Sequence, residues 1–219
     1  MTRDGLPAHL LGALEDAARR ACEGAEPAHD LSHVLRVRAN ALRIAASEAV
    51  RVEVVEAAAL LHELFNYPKN HPESHRSGEV CAHKARELLL AQAEFPVELV
   101  EPICDCIRDH AFSRGVIPTS LEGRVLQDAD RLDAIGAIGV ARCFATCSTM
   151  GRPFYEPSDP FCRSREPEDK LWGVDHFYRK LLRIPEGLHT SAAREMATER
   201  TRFMREFLGQ LEREVGGLG

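Results

Sequence analysis

The stretch AAALLHELFNYPKNHPESHRSG, Ala57 to Gly78, decides how this chain is read. Five apolar residues, Ala57 to Leu61, run straight into His62 and Glu63. Upstream, Val52, Val55, Ala59 and His62 recur at spacings of three and four. That spacing predicts a helix over about Val52 to Leu64 with His62 on its apolar face. Pro68 and Pro72 then predict a loop from Phe65 to His75. A lone histidine on an apolar face is ordinarily a satisfied core residue. A carboxylate directly beside it, and more polar residues in the loop that follows, raise a second reading: a ligand set.

Helical patterns extend outward on both sides of this stretch. Leu10, Leu11, Leu14, Ala17 and Ala18 predict a helix from Pro7 to about Gly24. Val34, Leu35, Val37, Ala41, Leu42 and Ala45 predict a second over Leu31 to Glu48, capped by Asp30. Further helices are expected over Ser77–Ala91 and Pro96–Ala111, with Pro102 starting a turn or kinking the latter. Leu121–Met150 reads as helix in two pieces, and Glu168–Arg183 and Ser191–Val215 as one helix each. Between them, Ser113–Thr119 and the Pro-rich, aromatic Gly151–Pro167 read as loops, the longer of a kind that often borders a site. No alternating strand pattern, repeat or low-complexity segment interrupts this. The expected fold is all-α, one domain over residues 1–219 with its core at about 28–185 and a C-terminal helix at about 190–215.

Of the 219 residues, 44% are hydrophobic, enough for a substantial core without covalent staples. The formal net charge of −6 argues against stable nucleic-acid binding, which rewards basic surfaces. A small anion held by a few local Lys and Arg residues is compatible with it. Seven cysteines with no CxxC pair exclude a zinc ribbon and a disulfide framework, and read as reduced core thiols. With no signal-like apolar segment at the N-terminus and no run of membrane-spanning length, the expected location is cytoplasmic.

Matching chemistry lies elsewhere in the chain. His29 and His33, in HDLSH, are four apart at the start of the second helix. In QDADRLDAIGAIG, Asp128, Asp130 and Asp133 flank Arg131 within an otherwise apolar helix. A buried carboxylate is costly unless it is paired or metal-bound, so an internal salt bridge to Arg131 is the plain alternative. Two imidazoles, an adjacent carboxylate and a distant Asp form a mixed N/O set. That set suits Mn²⁺, Fe²⁺ or Mg²⁺ with open positions better than a closed structural zinc site.

HDLSHVLRV, LLHELFNYPKNHPESHRS, RDHAFS, LQDADRLDAIGAIGVAR and DPF…DKLWGVDHFYRKLLRIP together resemble the HD-domain metal-dependent phosphohydrolases. The resemblance is to their small bacterial branch of about two hundred residues, whose members are thought of as nucleotide pyrophosphohydrolases or phosphohydrolases. The family motif, H…HD…D, falls here on His33, His62–Glu63 and Asp130, with Glu63 in place of the usual Asp. The resemblance implies an HD-type helical bundle, a divalent metal with manganese favoured, and hydrolysis of a nucleotide or related phosphate ester or anhydride by a metal-activated water. His33, His62, Glu63 and Asp130 are then the expected ligands. Asp133 is the candidate to accept a proton, His29 or His110 to donate one. Lys69, Asn70, Arg76 and Arg131 are the candidate substrate contacts. A homodimer is compatible with this reading. Two alternatives accompany it: a di-iron oxygenase, needing a second ligand set drawn from His29, His83 and His110, and a binding or regulatory protein weakened by Glu63.

Overall fold

Apolar residues fill every position from Val54 to Leu61 except Glu56, which leaves no face for water. The helix they form is buried over that whole span and is the centre around which its neighbours assemble. The computed structural model describes residues 5–24, 30–68, 71–111 and 115–216. Among them are nine α-helices and no strand: α1 (Ala8–Ala21), α2 (Leu31–Ala45), α3 (Val52–Leu61), α4 (Ser77–Leu90), α5 (Val97–Asp109), α6 (Leu121–Asp133), α7 (Gly136–Thr149), α8 (Gly173–Arg179) and α9 (Ser191–Val215). Two 3-10 segments, Ser74–Arg76 and Leu181–Gly187, complete the list of described elements. The all-α class read from the sequence is what is observed. No helix among the described residues is long and apolar enough to cross a membrane.

The chain falls into two compact units, the first ending at Asp130 and the second beginning at Arg131. In the first, α3 packs against α1, α2 and α5, and α4 lies along α5. Its core includes Leu14, Val34, Val37, Ile44, Leu60, Leu61, Ile103, Ile107 and Leu126. Glu56, the one charge between Val54 and Leu61, is buried and takes Nε–H and Nη2–H bonds from Arg38 of α2 at 2.9 and 2.5 Å. Asp30 caps α2 by accepting the backbone N–H of His33 at 2.9 Å, as the sequence leads one to expect. α5 runs on through Pro102, so that residue does not start a turn. At the head of α4, a Cβ on Gly78 would stand 2.4 Å from the carbonyl oxygen of Arg108, so this helix pair needs a bare backbone there.

In the second unit, α7 packs against α8 and α9. Phe144, Phe154, Phe177 and Phe207 form a ring cluster, with Phe144 5.0 Å from Phe154 and 6.0 Å from each of the other two. Gly136, at φ +79°, allows the break between α6 and α7 that the sequence suggested. The helix expected over Glu168–Arg183 is shorter, only Gly173–Arg179, followed by the 3-10 segment. The cause is non-local in sequence. Asp175 is fully buried, takes two hydrogen bonds from Arg165 at 2.5 and 2.8 Å, and accepts the Glu168 N–H at 2.6 Å. Glu168 is thereby held in a turn, and its carbonyl accepts from both Leu171 and Trp172. All seven cysteines are free thiols and six are buried, consistent with core residues.

Candidate metal centre

Three helix ends in the first unit carry the site. α3 stops at Leu61, which leaves carbonyls of its last turn without helical partners. His62 occupies the C-cap, and its Nδ1–H donates to one of those carbonyls, Ala59 O, at 2.7 Å. This fixes the tautomer: in the neutral ring the lone pair is on Nε2. Burial pulls the His62 imidazole down to about 4; Glu63 and Asp130 oppose this, while His110 and His33 add to it. At neutral pH the ring is therefore uncharged and its Nε2 is a donor atom for a cation.

His33 sits in the first turn of α2 with its ring buried, and its Nε2 lies 3.3 Å from His62 Nε2. Asp130 of α6 places Oδ1 3.6 Å from the same His33 Nε2. Glu63 Oε1 lies 3.7 Å from His33 Nε2 and 4.0 Å from His62 Nε2. Ligand atoms of His33, His62 and Asp130 all fall within 4.8 Å of one another, and Glu63 stands at the edge of this trio. Atoms bound at about 2.1 Å to one ion lie about 3 to 4 Å apart. The spacings of 3.3 to 4.0 Å about His33 and His62 meet that requirement, so the residues present fit a single divalent ion.

Two side-chain amides fasten the Asp130 helix to the rest of the site. Asn40 of α2, one helix face along from His33, donates Nδ2–H to Ala129 O at 3.3 Å. Gln127 donates from Nε2 to Asp109 O at 3.1 Å and Val116 O at 3.0 Å, which ties α6 to the end of α5. At that end His110 repeats the device of His62. It is buried at a C-cap, and its Nδ1–H donates to Ile107 O at 2.6 Å. Its ring meets that of His62 edge-on, with centroids 5.2 Å apart.

The remaining candidates that are described have other partners. Asp133 is buried and pairs through Oδ2 with Arg142 at 2.7 Å. Arg131 donates Nη1–H to Gly187 O at 2.5 Å. Arg76 is about half exposed and pairs with Glu73 at 2.9 Å and Glu79 at 3.7 Å. His29, Lys69 and Asn70 lie outside the described residues. Asn40, Gln127 and Asn66 escaped the sequence reading. An amide has no spacing rule to betray it, although Asn66, three residues after Glu63, stood within reach of it in a turn.

Comparison with known proteins gives the family of the chain. A family model described as HD domain matches residues 30–135. The YpgQ protein of Bacillus subtilis is 35% identical over 196 residues, 87% of this chain and 86% of that protein. A crystal structure of Bacillus subtilis YpgQ in complex with ADP matches with a TM-score of 0.72 at 30% identity, over 96% of this chain and 97% of that one. A crystal structure of an HD-superfamily hydrolase from Bacillus thuringiensis matches with a TM-score of 0.69 at 29% identity, over 94% and 96% of the two chains.

Proposed function

The chain belongs to the HD-domain family, and we propose that it is a metal-dependent phosphohydrolase acting on a nucleotide or a related phosphate ester or anhydride. The observation that carries this reading is the convergence of His33, His62 and Asp130 from three helices onto one point. A divalent ion bound there would lower the pKa of its water and draw charge from a phosphoryl oxygen. The chain's own residues do the rest. Burial keeps His62 unprotonated near neutrality, so a proton does not compete for Nε2. Asp130 and Glu63 bring the negative charge that balances a dication. His110 has Nδ1 committed to Ile107, so any proton it passes to a leaving oxygen moves at Nε2. The mixed N/O set accepts Mn²⁺, Fe²⁺ or Mg²⁺, and Mn²⁺ is the ion we propose. The ADP held by the Bacillus subtilis relative supports a nucleotide as ligand.

The oxygenase alternative gains no support. The described residues offer one cluster of metal-binding side chains. His83, a candidate for a second set, has a side chain 67% exposed, beside Glu87.

A screen of nucleoside mono-, di- and triphosphates and small phosphate esters against Mn²⁺, Mg²⁺, Co²⁺ and Fe²⁺, with products identified, tests the proposal. Phosphate or pyrophosphate release from a nucleotide, fastest with Mn²⁺ and stopped by a chelator, is expected. No release from any compound with any of the four ions would overturn it.

A further inference from the structure

Glu63 stands where the family motif has an aspartate, and its extra methylene adds about 1.5 Å of reach. It also adds a rotatable bond, so an unrestrained Glu spreads its carboxylate over more positions and is a poorer ligand. The structure restrains it. Asn66 Nδ2–H donates to Glu63 Oε2 at 2.9 Å, while Oε1 faces His33 Nε2 at 3.7 Å and His62 Nε2 at 4.0 Å. The direction of the amide follows from chemistry, because an ionised carboxylate only accepts. Both residues lie on the short segment leaving α3, so the backbone sets their separation.

We propose that Asn66 is a positioning residue that holds Oε2 of Glu63 and thereby presents Oε1 alone to a divalent ion at His33, His62 and Asp130. It is the feature that lets a glutamate serve where the motif has an aspartate. The inference rests on the metal-site reading above. Asn66 is exposed, and water competes for its hydrogen bond. Its effect should therefore fall at the low end of the about 10- to 100-fold that partners of metal ligands command in metal affinity or activity.

Titration of Mn²⁺ without substrate, with free ion read by electron paramagnetic resonance, separates this role from contact with substrate. Four full-length proteins are compared: native, Asn66→Ala, Glu63→Asp and the double variant. Asn66→Ala alone is expected to weaken Mn²⁺ binding about tenfold. In the Glu63→Asp background the same change is expected to matter less than about twofold, because the shorter carboxylate no longer reaches the amide. Equal losses in both backgrounds, or none in the native one, would overturn the inference while leaving the metal site standing. A native protein that binds no Mn²⁺ would remove the site and the inference together.

Discussion

Among the described residues, three buried acids meet one kind of partner and the half-buried Asp130 meets another. Glu56, Asp133 and Asp175 are each answered by an arginine: Arg38, Arg142 and Arg165. Asp130 faces an imidazole instead. An arginine neutralises a carboxylate permanently, whereas a neutral imidazole beside one leaves room for a cation. That difference marks the site within a chain of many charges. It also makes Asp175 sensitive to pH in a known direction. Burial alone would raise the Asp175 carboxyl, but Arg165, with the Glu168 N–H and the Cys162 thiol, outweighs it and holds the group below its ordinary value. Such a group contributes stability that is fully present above the unfolded carboxyl value of about 3.9 and lost as pH falls through the lower folded value. Asp175→Asn is therefore expected to lower stability at pH 7 by roughly 1–3 kcal/mol, since Arg165 is left partly exposed and without its charge partner. The deficit should shrink between about pH 4 and pH 2. Urea unfolding of both proteins across that range checks this; a deficit independent of pH would contradict it.

At the scale of elements, how closely two helices approach governs the frame of the site. α4 and α5 meet where Gly78 lies against the Arg108 backbone, two residues before His110. A methyl group cannot be accommodated at 2.4 Å from a carbonyl oxygen without moving one helix. Gly78→Ala is expected to cost about 1–3 kcal/mol, despite the better helix propensity of alanine, and to lower the melting temperature by several degrees. Thermal unfolding that shows an unchanged or raised midpoint would contradict the close approach. The helices themselves were legible in the sequence because their apolar residues keep the 3.6-residue period. The N-terminal part of the Glu168–Arg183 expectation was not legible, because a carboxylate at 175 reaches back to residues 165 and 168 and holds a turn there. No local pattern records that contact. Arg131 and Asp133 are close in sequence, yet Arg131 reaches the Gly187 carbonyl and Asp133 meets Arg142.

On the scale of the whole chain, the ligand residues are thirty to a hundred positions apart, and only the fold unites them. His33, His62 and Asp130 were singled out by residue type and by resemblance to a motif; their meeting within 4.8 Å is a property of α2, α3 and α6 together. The hydrogen bond from Asn66 to Glu63 has no counterpart in the motif. The central claim is that one divalent ion sits among these side chains. The most direct test is an anomalous-difference map from crystals grown with Mn²⁺, collected near the manganese edge. The account expects one strong peak at about 2.1–2.3 Å from His33 Nε2, His62 Nε2 and an Asp130 oxygen. A map with no peak there, or with its only strong peak elsewhere, would contradict it.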